Sequence, residues 1–138
     1  MALMGEKKVK GRKRHIVTDT CGHLLTIKEH AANIHDTMSG CHVFRAAQNK
    51  YPTMQAGCAD EGYRGTFVDF CQANGIKIDI SKKIKDGWQV LAKRWCVERT
   101  FGWANNSRRL SKDYEISTSS AETFFYISHS HTLLRRLC

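Results

Sequence analysis

The sequence predicts a mixed α/β fold, and three stretches carry that prediction. Residues 23–29 (HLLTIKE) alternate as a strand does, and a second alternating stretch, Ile76–Ile80, places three isoleucines on one face. Residues 54–59 form a short, mostly uncharged run of the kind that a buried strand uses. At 138 residues the chain is long enough for a core of its own, so we expect a single domain over residues 1–138.

The first predicted elements form a hairpin. Residues 15–19 (HIVTD) read as a strand, and a turn at residues 20–22 connects it to the strand at residues 23–29. We interpret Asp19, at this turn, as a residue that bonds the nearby backbone rather than as a catalytic acid, because Asp commonly does so in turns.

Two helices are predicted around the buried run. Asp36 is a plausible N-cap for a helix that extends to about residue 50, where Pro52 stops it. A second helix begins near Thr66 and ends at residues 74–75 (NG). Its core-facing side chains are Phe67, Phe70 and Cys71.

The third helix carries the most unusual combination of residues in the chain. Val97, Phe101 and Ala104 fall at i, i+4 and i+7 and form an apolar stripe. Glu98 lies at the border of this stripe, and Arg94 lies one turn before it on the same face. Such a carboxylate is either half of an ion pair with Arg94 or a ligand for a divalent metal, and spacing alone supports the two equally.

The last helix is predicted from its start signal. Ser119 and Glu122 have the spacing of a capping box, in which the two side chains bond the first free backbone amides of a helix. The helix then extends past Phe124, Ile127 and Leu134. The predicted order of elements is therefore β-β-α-β-α-β-α-α, a sheet that helices cover.

The charge of the chain favours a polyanionic partner. Lys and Arg number 22 against 13 Asp and Glu, a net charge of +9, which indicates nucleic acid first and an acidic membrane surface second. The basic N-terminal segment, residues 1–14, holds six cations and one acid within residues 5–14. We interpret it as neutralising phosphates without reading bases, with a solvated tail as the alternative.

Other classes of protein are disfavoured. No run of about 18 apolar residues exists, so no membrane span is expected. The apolar segment before the first lysines, residues 1–5, is too short for the core of a signal peptide. The six cysteines are scattered singly without a C-x-x-C pair, which argues against a zinc ribbon and leaves a Cys/His metalloprotein as a weak alternative. We expect a cytoplasmic protein with reduced thiols.

Asp60 follows the buried run directly, and in α/β sheets ligands bind beyond the carboxyl ends of strands. Mg²⁺ is often held by one or two carboxylates together with substrate phosphate and water. Two such ions activate an attacking oxygen and stabilise a leaving one in phosphodiester chemistry. Asp60 is equally well interpreted as a turn or N-cap acid before Gly62.

A family resemblance favours the metal interpretation of both acids. The blocks that carry it are residues 7–19 (KKVKGRKRHIVTD), 59–65 (ADEGYRG), 94–103 (RWCVERTFGW) and 108–115 (RRLSKDYE). In this order they resemble the catalytic half of bacterial insertion-sequence DDE transposases, over nearly the whole chain. Asp60 matches the second acid of the family, and Glu98 matches the third in its Arg-x-x-x-Glu context with Arg94.

The resemblance implies an RNase H-like fold, like that of retroviral integrases. It also implies DNA cleavage and strand transfer at element ends and in target DNA, dependent on Mg²⁺ or Mn²⁺ that Asp60 and Glu98 would hold. It is compatible with a homo-oligomer. The residues expected to contact DNA phosphates are Lys7, Lys8, Lys10, Arg12, Lys13, Arg14, Arg94, Arg99, Arg108 and Arg109.

Two departures from the family pattern shape our expectations. The first Asp of the family lies on a strand upstream of the basic block, whereas only residues 1–6 precede that block here and none is Asp. In addition, Asn105 and Asn106 stand where the family usually has Lys or Arg. We therefore expect a partial catalytic domain from a truncated or split reading frame, inactive or weak by itself. The alternative function is a non-catalytic DNA-binding or assembly module.

The missing first strand also predicts a defect in the sheet. In an RNase H-like sheet this strand is central, so its loss would leave unpaired backbone groups on both of its neighbours. We expect the two flanks to close up into four strands, a second chain to fill the gap, or the fragment to be loose.

Overall fold

The computed structural model describes residues 2–9, 11–81, 92–107, 110 and 117–137. The strands are β1 (Ala2–Val9), β2 (Arg12–Thr18), β3 (Leu24–Ala31), β4 (Ala56–Asp60) and β5 (Lys77–Ser81). The helices are α1 (Asp36–Lys50), α2 (Thr66–Ala73), α3 (Ala92–Asn105) and α4 (Thr118–Leu137), with a 3₁₀ turn at Glu61–Tyr63. The predicted mixed α/β class is confirmed.

The strands form one mixed sheet with helices on both faces. Its order is β3-β2-β1-β4-β5, in which the pairs β1–β2 and β2–β3 are antiparallel and β4 is parallel to both β1 and β5. Helices α1 and α2 pack on one face, and α3 and α4 pack on the other. The carboxyl ends of β1 and β4 therefore lie at the same edge of the sheet.

The predicted gap in the sheet is wrong. Residues 2–9, which we placed in a basic N-terminal segment, form β1 and occupy the central position between β2 and β4. The register pairs Val9 with Arg12, so a two-residue connection containing Gly11 closes a hairpin. Gly11 has a φ of +77°, the conformation that favours glycine in such tight turns. Gly11 is the signal in the sequence for this hairpin turn, but the many lysines around it led us to interpret these residues as a basic segment.

Strand β1 touches both layers of helices through alternating residues. Met4 is buried in the core on the α1 and α2 face, together with Val43 and Phe44. Gly5 faces α3, and a Cβ atom built there would lie 2.4 Å from Cγ1 of Val97. Because real Cβ atoms do not approach other atoms so closely, α3 can rest on the sheet at this distance only above a glycine.

The two cores agree with the predicted apolar faces. Val97, Phe101 and Ala104 are buried against Ile16 and Phe125, as the stripe on the third helix predicts. On the other face, the two residues of α2 that are fully buried are Phe67 and Cys71. Burial raises the pKa of the Cys71 thiol to about 12, so this cysteine behaves as a small apolar side chain. The cysteines of the described part of the chain are free thiols.

Two predicted helix caps are wrong by a residue or more. Helix α1 already includes Asp36, and the cap position belongs to His35 without a side-chain bond. Helix α4 is capped by Ser117, whose Oγ accepts from the backbone N–H of Ser120 at 3.1 Å.

Among the described helices, none has the length and apolarity that crossing a membrane requires.

Glu122 was predicted to take part in a capping box. In the structure it instead attaches α4 to the edge strand β3. Its Oε1 accepts from the backbone N–H of Glu29 at 2.9 Å. Farther along α4, Nε2 of His129 accepts from the backbone N–H of Leu24 at 3.0 Å. Burial lowers the pKa of His129, which keeps its ring neutral and able to accept that bond.

We expect Gly5→Ala to destabilise the fold and Gly102→Ala to do the opposite. An added methyl at position 5 must displace Val97, which costs about 1–3 kcal/mol of unfolding free energy in a packed core. Gly102 is an exposed helix residue with open space around its Cβ position, so alanine there gains up to about 1 kcal/mol. Urea unfolding of the two variants checks this, and equal shifts in both would contradict the close packing of α3 on β1.

Candidate active site

The candidate site lies where β4 ends, beside the middle of β1. Asp60 is the last residue of β4 and is half-buried. Its Oδ1 accepts from the backbone N–H of Gly62 at 3.0 Å, which caps the 3₁₀ turn that follows. This confirms the predicted capping role. It also fixes the carboxylate in place, and a carboxylate has a second oxygen with which to bind a cation.

Glu98 lies on the helix that rests on the neighbouring strand. The parallel register pairs Leu3 with Cys58, so Gly5 and Asp60, each two residues farther along, lie level on adjacent strands about 5 Å apart. Val97 contacts Gly5 from above, and Glu98 is the next residue of α3, exposed at the border of the buried stripe. The structure thus brings the two elements that carry the predicted acids to the two sides of β1.

A buried polar cluster supports the turn after Asp60. Tyr63 is fully buried, and its hydroxyl lies 2.6 Å from Nδ1 of His15 on β2. The ring of His15 stacks on that of His30 on β3, with centroids 4.6 Å apart. Tyr63 is also pressed against Gly40 of α1, where a Cβ atom would approach its ring to 2.7 Å. No local pattern in the sequence predicts a role for Tyr63 or His15, because their contact joins residues 48 positions apart.

The neighbouring acid Glu61 is an exposed residue of the same turn. It pairs with Arg64 at 3.3 Å, and both side chains are about half exposed. Exposed pairs of this kind contribute little to stability, so this ion pair is a surface feature.

Arg14, a predicted DNA contact, has a structural role instead. Its side chain is buried, it forms an ion pair with Glu29, and its Nη1 donates to the carbonyl of Leu110 at 2.7 Å. A guanidinium that is enclosed and bonded in this way cannot also reach a phosphate. The pair joins β2, β3 and the segment between α3 and α4.

The other predicted DNA contacts divide into described and undescribed side chains. Lys13 is buried and Arg12 is half-buried at the start of β2. Arg99 donates to the carbonyl of Cys21 at 2.5 Å and lies 5.0 Å from the ring centre of Trp103, so it faces the opposite edge of the sheet. The side chains that lie outside the described part of the chain are those of Lys7, Lys8, Lys10, Arg94, Arg108 and Arg109.

The hairpin turn holds the predicted turn acid. Oδ1 of Asp19 accepts from the backbone N–H groups of Cys21 and His23, both at 2.9 Å, and Oδ2 lies 3.0 Å from Nδ1 of His23. These bonds confirm that Asp19 shapes the β2–β3 turn. That turn lies at the amino end of β1, because β1 is antiparallel to β2, and is therefore remote from Asp60.

Comparison with known proteins identifies the family. A family model for the transposase DDE domain matches residues 58–135, a span that includes Asp60 and Glu98. The chain belongs to this family. The predicted resemblance to DDE transposases is thus confirmed over more than half of the sequence. No curated protein matches the sequence.

The fold of this transposase domain is shared with a retroviral integrase. The catalytic core domain of BIV integrase superposes with a TM-score of 0.62 at 12% sequence identity, covering 93% of this chain and 79% of that one. The similarity confirms the predicted RNase H-like fold with its mixed sheet and flanking helices. It also agrees with the finding that the central strand is present.

The two predicted acids, Asp60 and Glu98, carry oxygen donors of the kind that Mg²⁺ prefers. Within the described residues, no three His, Cys, Asp or Glu side chains are grouped so that they could hold a metal ion. Asp60 and Glu98 would therefore be an incomplete ligand set by themselves. Pairs of carboxylates fit Mg²⁺, which keeps several waters and takes further oxygens from a phosphate.

We expect Glu29→Leu to cost about 3–5 kcal/mol of unfolding free energy, because it leaves the buried charge of Arg14 without its carboxylate. The matched control, Glu61→Gln, removes one partner of the exposed pair with Arg64 and should cost less than about 1 kcal/mol. Urea unfolding measures both.

The double variant Arg14→Met/Glu29→Leu tests the role of Arg14 further. It removes both buried charges, so we expect it to recover most of the lost stability. Its affinity for DNA should equal that of the original chain. A large loss of affinity in a folded double variant would show that Arg14 contacts phosphate after all.

Proposed function

We propose that this transposase domain acts on DNA at the ends of an insertion element, where its family chemistry is the cleavage and transfer of strands. Asp60 and Glu98 are proposed as the catalytic acids, and Mg²⁺ or Mn²⁺ as the cofactor that they hold. The observation that supports the proposal is the packing of α3, the helix of Glu98, on β1 at Gly5, because β1 is the neighbour of the strand that ends in Asp60.

The metal would supply charge stabilisation at a phosphate and activation of the attacking oxygen. Asp60 is suited to hold it because the bond from Gly62 orients the carboxylate and the 3₁₀ turn is anchored on Tyr63. Glu98 is suited because α3 packs directly on β1, with Val97 against Gly5. Both acids thus stand on rigid elements, as a site that must align a phosphodiester requires.

DNA is proposed to approach this edge along the β1–β2 hairpin. The hairpin extends beyond Asp60 and carries the basic residues of the segment 7–14, apart from the buried Arg14 and Lys13. Backbone phosphates would be neutralised there without base-specific contacts. Arg94 precedes Glu98 by one turn and is proposed to orient it or to contact phosphate.

Strand β1 limits the activity that we expect. It contains no Asp, and the residue level with Asp60 that faces α3 is Gly5. The space that a third carboxylate would need at this position is filled by the methyl groups of Val97. We therefore propose that the chain binds metal and DNA but cleaves DNA weakly or not at all.

We expect Asp60→Asn and Glu98→Gln each to weaken Mn²⁺ binding at least tenfold, because each removes a charged oxygen ligand. Paramagnetic resonance of free Mn²⁺ measures this, with Asp69→Asn as the control, since Asp69 is an exposed acid on α2. Equal affinity in the original chain and both acid variants would refute the proposed metal site. Mg²⁺-dependent nicking of element-end DNA by this chain would refute the expected weakness.

The second candidate is a DNA-binding or assembly module without catalysis, which the glycine at position 5 favours. The two candidates differ in their dependence on metal. DNA affinity that falls steeply with salt, but is unchanged by a chelator and by Asp60→Asn, would support the non-catalytic module. DNA affinity that falls in the chelator and in this variant would support the metal-dependent candidate.

A further inference from the structure

The end of α3 and the carboxyl half of α4 enclose a basic cavity that the proposed function does not use. Its volume is about 390 Å³, within the range of small-ligand sites. Trp103, Asn106 and Ser107 line it from the α3 side. His131, Thr132, Arg135 and Arg136 line it from α4.

This cavity lies at the edge of the sheet opposite Asp60. Thr100, one turn before Trp103, donates through Oγ1 to the carbonyl of Gly22 in the β2–β3 turn at 2.6 Å. His129, which bonds Leu24 at the start of β3, has its ring 6.3 Å from that of Trp103. Both contacts are made at the amino end of β1, whereas Asp60 is level with Gly5, farther along that strand.

Stacking holds one guanidinium of the cavity in place. The Cζ atom of Arg136 lies 4.0 Å from the centre of the Trp103 ring, and that of Arg99 lies 5.0 Å from the same ring. A stacked guanidinium uses its flat face for the aromatic ring, so its N–H groups remain in the plane and available to a ligand. This contact restrains Arg136 before a ligand arrives, which lowers the entropy cost of binding.

The charges around the cavity favour an anion. Among the described residues that line it, two are arginines and none is acidic. The carboxyl ends of α3 and α4 add partial negative charge, about half an elementary charge for each helix. Two full guanidinium charges, with a third on Arg99 nearby, exceed this amount.

The donors identify the class of anion. Two guanidinium groups and one amide can bond several oxygens at once, as a tetrahedral phosphate requires. The hydroxyl of Thr132 donates to the carbonyl of Ser128 at 3.1 Å, and that of Ser107 lies 2.6 Å from the hydroxyl of Ser128, so both hydroxyl groups are already bonded within the protein. A nucleobase is disfavoured as the main contact, because Arg136 already occupies a face of Trp103. We propose that the cavity between α3 and α4 is a phosphate-binding site, distinct from Asp60 and Glu98, neither of which lines it. It requires neither Asp60 nor a divalent ion.

Tryptophan fluorescence tests the site directly. The chain has three tryptophans, so Trp88→Phe/Trp95→Phe leaves Trp103 as the reporter. Titration with inorganic phosphate at constant ionic strength, balanced with chloride, should give a saturable change. Arg136→Gln and Arg135→Gln should each weaken it at least tenfold, and Arg135→Gln keeps the stacked pair that sets the reporter signal.

The matched control is Arg45→Gln. Arg45 also lies over an aromatic ring, 5.1 Å from the centre of Phe70, but on the opposite face of the sheet. Unchanged phosphate affinity in this variant supports a specific site. An equal loss in Arg45→Gln and Arg136→Gln, or no saturable change in the original chain, would overturn the proposal. Urea unfolding of each variant confirms that the chain remains folded.

The source of the phosphate is distinguished by a second titration. A short DNA duplex that binds more tightly than inorganic phosphate, and that competes with it, indicates a backbone phosphodiester. Inorganic phosphate that binds while the duplex does not compete indicates a free phosphate or a small phosphate ester. Asp60→Asn and a chelator should leave the titration with inorganic phosphate unchanged, so failure of the acid site and failure of this site are separate outcomes.

Discussion

The central strand β1 is the element on which the rest of the described structure depends. It pairs with β2 on one side and with β4 on the other, so it joins the hairpin half of the sheet to the parallel half. It also supplies Met4 to one core and the flat surface at Gly5 to α3. Because unpaired backbone groups inside a protein are costly, a sheet of this order requires a strand at this position.

The absence of a side chain at position 5 has a structural and a chemical consequence. It allows α3 to approach the sheet so closely that Val97 fills the space where a Cβ atom would stand. The same contact removes the place at which β1 could offer a carboxylate level with Asp60. Close packing of α3 and a third carboxylate therefore exclude each other at this position, and in this chain Val97 of α3 fills it.

The positive charge of the chain serves more than one purpose. Arg14 forms a buried ion pair with Glu29 and also donates to the carbonyl of Leu110, so its charge is used inside the protein. Arg99 and Arg136 stack on Trp103 at the edge opposite Asp60. A net charge of +9 indicates a polyanionic partner, but it does not show which cations face that partner. Burial and pairing decide this residue by residue.

The sequence by itself determined the α/β class, most of the strands and helices, the turn role of Asp19 and the position of Asp60 at the end of a strand. These follow from local patterns of apolar residues and from turn residues, which act over a few positions. The family blocks added the RNase H-like fold and the two acids. Only the tertiary structure decided that residues 2–9 complete the sheet, that Arg14 is buried and that Tyr63 bonds His15. Each of these depends on a partner that is distant in the chain or on packing that no local pattern records, because strand pairing and burial arise only when the whole sheet is assembled.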